Sequence, residues 1–259
     1  MNIKSPIVEF SLKDSSLKSG RADLQLVALG HFETRARAQA AIRAGRVRVN
    51  GEVLTKPSQT IPPGAEIEAE AEHPFVSRAA LKLVAALDAF AVSPQGRVCL
   101  DVGSSTGGFS ELLLQRGAAQ VYAVDVGRDQ LHPSLRGHPR LTSLEGTDAR
   151  SLSPALIQES PSLIVCDASF IGLAKLLGVP LSLAAADADL IALFKPQFEV
   201  GRAHIGKGGI VSDESAVQTA LQAFQDWLQG QGWPVRAVMP SPISGSDGNR
   251  EILVHARRA

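Results

Sequence analysis

Arg97 to Phe109, RVCLDVGSSTGGF, decides the fold. Val98, Cys99, Leu100 and Val102 make a short apolar run with the length and β-branching of a buried strand. Glycine then recurs at Gly103, Gly107 and Gly108, where the chain turns sharply and a helix begins. Downstream the same alternation repeats: VYAVDV, LTSLEG, LIVCDA, ADLIALF, a helix over about Asp213–Gln229, then VRAVMP and EILVHAR. Short apolar strands alternating with helices predict an α/β fold, a doubly wound sheet with parallel strands at its centre. In such sheets ligands bind at the carboxyl ends of the strands.

The residues at those ends carry the chemistry. Asp101, Gly103, Ser105, Thr106, Gly107, Gly108 and Phe109 surround the first turn, and Asp125 followed by Val126 ends the next strand, twenty-two residues after Gly103. Asp125 is placed to accept hydrogen bonds from ribose hydroxyls, and Asp148, after the third strand, to hold an adenine amino group. The turn is not the G-x-G-x-x-G dinucleotide fingerprint, and no Walker lysine follows it. A carboxylate at Asp101 would repel a phosphate. An adenosyl ligand without a polyphosphate, S-adenosylmethionine, is favoured over a nicotinamide or nucleotide, and a purely structural glycine turn is the third reading.

Other strand ends add Asp167, Lys195 and Glu251, and Lys82 lies on the helix that precedes the first strand. Pro196 disfavours helix at Lys195 and so sets that strand end. Ser77 is read as the N-cap of a helix from Arg78 to Phe90, which places Arg78 and Lys82 on one face as a like-charged pair. The stretch EVGRAHIGKGG, residues 199–209, carries Arg202, His204 and Lys207 among glycines, either a basic loop that closes over a polyanion or a solvated connector.

Ahead of this body the pattern is different. Residues 1–20 are polar and without a period, and are read as a flexible tail. Leu24, Leu26, Val27 and Leu29 predict a short helix ending at Gly30, and Thr34 caps a second over Arg35–Ala44. RVRVNGEVL then turns at Asn50-Gly51, the signature of a type I′ hairpin, and a further strand follows in IPPGAEIEAE. Arg35, Arg37, Arg43, Arg46 and Arg48 fall within fourteen residues that hold no acid, which calls for an anionic partner or full solvation. The domains are expected at 21–72 and 73–259.

The chain has 259 residues and zero formal net charge, yet residues 1–60 hold ten basic residues against five acidic, so the remainder carries an acidic excess. A basic front on an acidic body suits a protein that grips a polyanion at one end. The longest stretch without a charge is about ten residues, as in Leu176–Ala186, well short of the roughly 18 to 20 a spanning helix needs. With no secretory leader, a cytoplasmic location is expected. Cys99 and Cys166, both in apolar runs, are read as core residues, and no metal site is expected.

The front resembles the S4 RNA-binding domain, whose fingerprint is an arginine-rich helix followed by G-x-V-x-V-N-G. That resemblance implies RNA phosphate contacts for Arg35, Arg37, Arg43, Arg46 and Arg48. The body is similar to the FtsJ-like RNA 2′-O-methyltransferases and more closely to the TlyA, or haemolysin A, family. SRAALKL, DVGSSTGGFS, CDASF, FKPQFEVGR and GNRE carry the likeness. It implies a Rossmann-like methyltransferase sheet whose last strand is antiparallel, a catalytic set of Lys82, Asp167, Lys195 and Glu251, and S-adenosylmethionine as cofactor. It also implies RNA contacts by Arg78, Arg202 and Lys207, and methylation of cytidine ribose in ribosomal RNA or ribosomal subunits. Lys195 as general base and Lys195 as stabiliser of a developing alkoxide are both open, since a lysine beside Asp167 keeps its proton while a second lysine pushes the other way. A non-catalytic RNA-binding module, a small-molecule methyltransferase and a membrane-active haemolysin are the competing classes.

Overall fold

The computed structural model describes residues 19–71, 73–245 and 247–259. The chain divides into two compact units, residues 1–74 and 75–259.

The first unit runs β1 (Gly20–Arg21), α1 (Ala22–Ala28), α2 (Arg35–Arg43), β2 (Val47–Val49), β3 (Glu52–Val53), β4 (Thr60–Ile61) and β5 (Ile67–Ala69). Gly20 pairs with Ile61, so regular pairing begins inside the stretch read as a tail, the rest of which lies outside the described residues. Thr34 caps α2, its side chain accepting from the Arg37 N–H. Asn50 and Gly51 both adopt positive φ, 51° and 81°, as a type I′ turn requires. The leucine spacing in α1 misleads about its buried face: Leu24 is half exposed, whereas Ala22, Asp23, Gln25 and Leu26 turn inward. Asp23 ties that helix to α2 through an ion pair with Arg35 and a hydrogen bond from Gln39.

The second unit is a seven-stranded sheet in the order β11-β12-β10-β9-β6-β7-β8. Its elements are α3 (Ala80–Ala89), β6 (Val98–Val102), α4 (Gly108–Gln115), β7 (Gln120–Asp125), β8 (Leu141–Glu145), β9 (Leu163–Cys166), α5 (Leu173–Ser182), β10 (Asp189–Phe194), α6 (Pro196–Glu199), α7 (Glu214–Gly230), β11 (Val235–Pro240) and β12 (Ile252–Arg257). Strands β8, β7, β6, β9 and β10 run parallel, and β12 is antiparallel to both β10 and β11. Alternating side chains serve the two faces. Leu163 and Val165 meet α3 and α4, and Ile164 and Cys166 meet α5 and α7. Helix α3 starts at Ala80 rather than Arg78, and Ser77 instead accepts from the Ala79 N–H at 3.2 Å. Arg78 thus stands in the turn ahead of the helix.

Register decides what meets at the sheet edge. Val102 sits opposite Cys166, and Cys166 opposite Ala192, so the turns that follow β6 and β9 emerge side by side. Phe194 pairs with Ile252 across the antiparallel junction, which makes Lys195 and Glu251 neighbours although fifty-six positions separate them in the chain.

Candidate active site

Two cavities open at this edge, about 650 Å³ and about 360 Å³ in volume. Gly103, Ser105, Asp167, Ser169 and Phe170 line both, so they are two lobes of one cleft.

The smaller lobe lies over β7. Asp125, Val126, Gly127, Gln130, Thr147 and Ile171 contribute to its wall. The Asp125 carboxylate accepts from the Ser105 N–H at 2.8 Å and the Gly127 N–H at 2.7 Å, which ties together the turns after β6 and β7. Gly103 has φ +82°, and a Cβ there would stand 2.8 Å from the Ala168 Cα, so only glycine allows the two strand-end turns to cross. Gly107 and Gly108 serve packing. A Cβ on the first would strike Leu135 at 2.5 Å, and on the second Ser77 at 2.7 Å.

Asp148 does not join this lobe. Its carboxylate caps the following turn and pairs with Arg150 at 2.6 Å, while its neighbours Thr147 and Ala149 line the lobe. The apolar Val126 and Ile171 leave shape and dispersion to hold a flat ring there.

Asp101 lies beneath the turn, fully buried, with Ser110 Oγ donating to its Oδ2 at 2.7 Å. Its Oδ1 is covered and has no hydrogen-bond partner among the described residues. Burial pushes this carboxyl up to about 7, with Ser110 opposing and the charge of Asp167 adding to the rise. A folded-state value above the ordinary 3.8 means that the associated stability is complete below that value and is lost as pH climbs to about 7. Asp101→Asn, which cannot ionise, is therefore expected to flatten the decline of the thermal midpoint over that pH range. Calorimetric scans of both proteins check this, and parallel declines would refute it.

The larger lobe contains the charged set. Lys195 Nζ is 2.7 Å from Asp167 Oδ1, 3.3 Å from the Asp167 carbonyl and 3.0 Å from Ser169 Oγ. Lys82 Nζ is 2.5 Å from Glu251 Oε2. All four side chains line the cavity and are nearly covered by protein. Each lysine thus has its own carboxylate partner. Burial pushes the Glu251 carboxyl up, against the pull of Lys82.

Ser105, Thr106, Phe109 and Arg78 also line the larger lobe. Arg202 and Lys207 are exposed on short 3₁₀ turns; neither contributes to the wall, which that loop supplies through Ile205 and Gly209. His204 pairs with Asp213 at 2.9 Å. Cys99 and Cys166 are buried, and burial pushes each thiol up to about 12, so neither is a nucleophile.

Two residues at or near the cleft were not singled out above. Phe170 is 91% exposed at φ +68° and packs on Phe198 with ring centres 5.2 Å apart, an aromatic rim on both lobes. Asn249 is buried; it donates to the Gly209 carbonyl and to Asp247, and accepts from the Val211 N–H, so it binds the 205–211 loop to the segment that ends at Glu251. These residues stand inside the quoted motifs CDASF, FKPQF and GNRE; proximity to a strand end was the available signal.

In the first unit the arginine cluster has more acid partners than its local sequence shows. Buried Asp23 pairs with Arg35 at 2.7 Å and Arg21 at 3.1 Å, and the Arg21 hydrogen bond leads the interactions that hold its carboxyl far below the usual range. Arg37 pairs with Glu33 at 3.8 Å and Arg46 with Glu70 at 3.2 Å. All three acids lie outside the window in which none was counted. Arg43 and Arg48 have only neutral acceptors, Gln39 and the Gly51 carbonyl, among the described residues.

Comparison with known proteins extends this geometry. The FtsJ-like methyltransferase family matches residues 75–258, and the S4 domain family matches residues 20–67. The 16S/23S rRNA (cytidine-2′-O)-methyltransferase TlyA of Mycobacterium tuberculosis is 43% identical over 93% of this chain and 90% of its own length. Hemolysin A of Brachyspira hyodysenteriae is 37% identical over 91% of this chain and 98% of its own. A solved Streptococcus thermophilus structure, provisionally described as a hemolysin, superposes with a TM-score of 0.73 at 38% identity, covering 94% of this chain and 90% of that one. A seven-stranded sheet with its antiparallel strand beside β10, the glycine turn and these whole-length similarities have one explanation: the chain belongs to the TlyA family of FtsJ-like methyltransferases that carry an S4 domain.

Proposed function

We propose that this enzyme transfers the methyl group of S-adenosylmethionine to the 2′-hydroxyl of a cytidine ribose in ribosomal RNA. The carrying observation is the juxtaposition, in one cleft, of a glycine-turn lobe with a lobe floored by two lysine–carboxylate pairs. The residues present fit the cofactor. The Asp125 carboxylate suits ribose hydroxyls, and Val126 and Ile171 suit an adenine face. When bound, the cofactor supplies an electrophilic methyl group on sulfur.

The chain's own part is positioning and charge. A ribose hydroxyl is a poor nucleophile, and charge builds on its oxygen as it attacks. Lys195, positioned by Asp167 and Ser169, donates a hydrogen bond to that oxygen and stabilises the charge. Holding hydroxyl and methyl in line contributes several kcal/mol more, about 7–11 at the limit. Glu251, raised by burial, is the nearby carboxylate suited to receive the hydroxyl proton, and Lys82 keeps it in place. Phe170, at the rim, offers a face on which an unstacked base can rest.

The first unit grips RNA through Arg43 and Arg48, the arginines not committed to acids. Replacing both by alanine is expected to lower the slope of log affinity against log salt by roughly 1.5, at about 0.7–0.9 per lost phosphate contact. Filter binding to ribosomal RNA across a salt series measures it, and an unchanged slope would remove these residues from the interface. An RNA-binding module without catalysis gives the paired lysines and carboxylates nothing to do. Among the described residues no helix is long and apolar enough to cross a membrane.

The test is transfer of labelled methyl from S-adenosylmethionine to unmodified ribosomal subunits and free ribosomal RNA, followed by nucleoside analysis. Label in 2′-O-methylcytidine is expected. Label confined to another nucleoside, or none despite bound cofactor, would sink the proposal.

A further inference from the structure

Glu199 ends α6, and the chemistry above makes no use of it. Its Oε1 accepts the N–H of Leu173 at 2.8 Å, the first residue of α5. That helix has Gly172 at its N-cap and no side-chain cap of its own, so the carboxylate caps it from another segment. Gly172 leaves room for this approach: a Cβ there would stand 3.2 Å from Glu199 Oε2. Burial pushes the Glu199 carboxyl up while the Leu173 N–H and Lys175 draw it back.

The loop Asp167–Gly172 is therefore pinned along its whole length by one short segment. Lys195 holds its start through Asp167 and Ser169, Phe198 packs on Phe170 in its middle, and Glu199 holds its end. The same loop lends Asp167, Ser169 and Phe170 to both lobes of the cleft. Losing the last of these anchors would leave Phe170, which the structure holds at a positive φ of 68°, without a fixed end to hold it there.

We infer that Glu199 is a positioning residue: it caps α5 in trans and so fixes the Asp167–Gly172 loop against the cofactor and the reacting nucleotide. This rests on the reading of the cleft as an S-adenosylmethionine site, and it adds a residue outside the lysine–carboxylate set. The charge of Glu199 matters less than its acceptor oxygen, so glutamine at this position retains the function and alanine does not.

The experiment is titration calorimetry of S-adenosylmethionine on the full chain, with Glu199→Ala, Glu199→Gln, Phe170→Ala and the Glu199→Ala/Phe170→Ala double variant. Glu199→Ala is expected to weaken binding about tenfold, the scale of a lost cap, and Glu199→Gln to stay within about threefold of wild type. Because Glu199 acts through the loop that presents Phe170, the double variant binds no worse than the weaker single one. Effects that multiply, a glutamine variant as weak as alanine, or an alanine variant equal to wild type would each overturn the inference. Should Glu199→Ala fail to fold, Glu199→Asp, one methylene short of Leu173, is expected to give an intermediate loss, and wild-type affinity there would overturn it as well. A wild type that binds no S-adenosylmethionine overturns the methyltransferase reading, and the inference falls with it, which separates that failure from the others.

Discussion

Lys195→Ala is expected to cut methyl transfer to RNA by about 10³-fold or more while S-adenosylmethionine affinity stays within about threefold. The side chain is nearly covered, and its three polar contacts aim the ammonium group into the larger lobe. Truncation removes the positive charge from the place where the attacking oxygen becomes negative, and leaves Asp167 facing that oxygen as an unpaired carboxylate. The second consequence makes the loss larger than that of a single hydrogen bond, since a buried unpaired charge is costlier than an absent one. Lys195→Arg is not a conservative change, because the planar guanidinium cannot reproduce the three contacts of a compact ammonium. Single-turnover transfer with saturating cofactor measures the effect, and activity within tenfold of wild type would remove Lys195 from the chemistry.

Gly103→Ala is expected to destabilise the protein by about 2–5 kcal/mol and to abolish measurable cofactor binding. Two costs add. A left-handed backbone at φ +82° costs an alanine about 1–2 kcal/mol, and a Cβ 2.8 Å from the Ala168 Cα must force backbone apart, an overpacking cost of about 1–3 kcal/mol. Neither neighbour is a flexible side chain, so the turns after β6 and β9 separate, and they form the floor shared by both lobes. Gly137→Ala is the control. It has φ +72° with nothing within 4 Å of the added Cβ, so it pays only the conformational cost. Thermal unfolding of both variants, with calorimetry of S-adenosylmethionine binding, decides; equal destabilisation of the two would show that close approach at Gly103 contributes nothing.

The elements of the second unit were legible because their signals are local. Strand runs such as LIVC and LIALF are apolar throughout, as strands covered on both faces must be, and glycine at φ +82° or a proline after Lys195 marks where they stop. The position of Asp125 and of the lysine–carboxylate set at strand ends followed from the same punctuation. Where local pattern misled, a partner distant in sequence was responsible. Leu24 fits an apolar helical period, yet it is half exposed while Asp23 beside it is buried and pairs with Arg35. The arginines of α2 and β2 were counted against acids within their own stretch, whereas Glu33, Glu70 and Asp23 reach them from outside it.

By itself the sequence determined the alternation of strands and helices, the glycine turn, the Asn50-Gly51 hairpin and the residue types available at each strand end, because backbone preference and hydrophobic period act over a few residues. Only the tertiary structure decided which of those residues meet. The register of β10 against β12 sets Lys195 beside Glu251, the approach of α3 gives Lys82 to Glu251 rather than to Asp167, and the turn after Lys195 lends Glu199 to a helix that has no cap of its own. Ion pairs and in-trans caps depend on distances of about 3 Å between segments far apart in the chain, and such distances are fixed by packing and strand register.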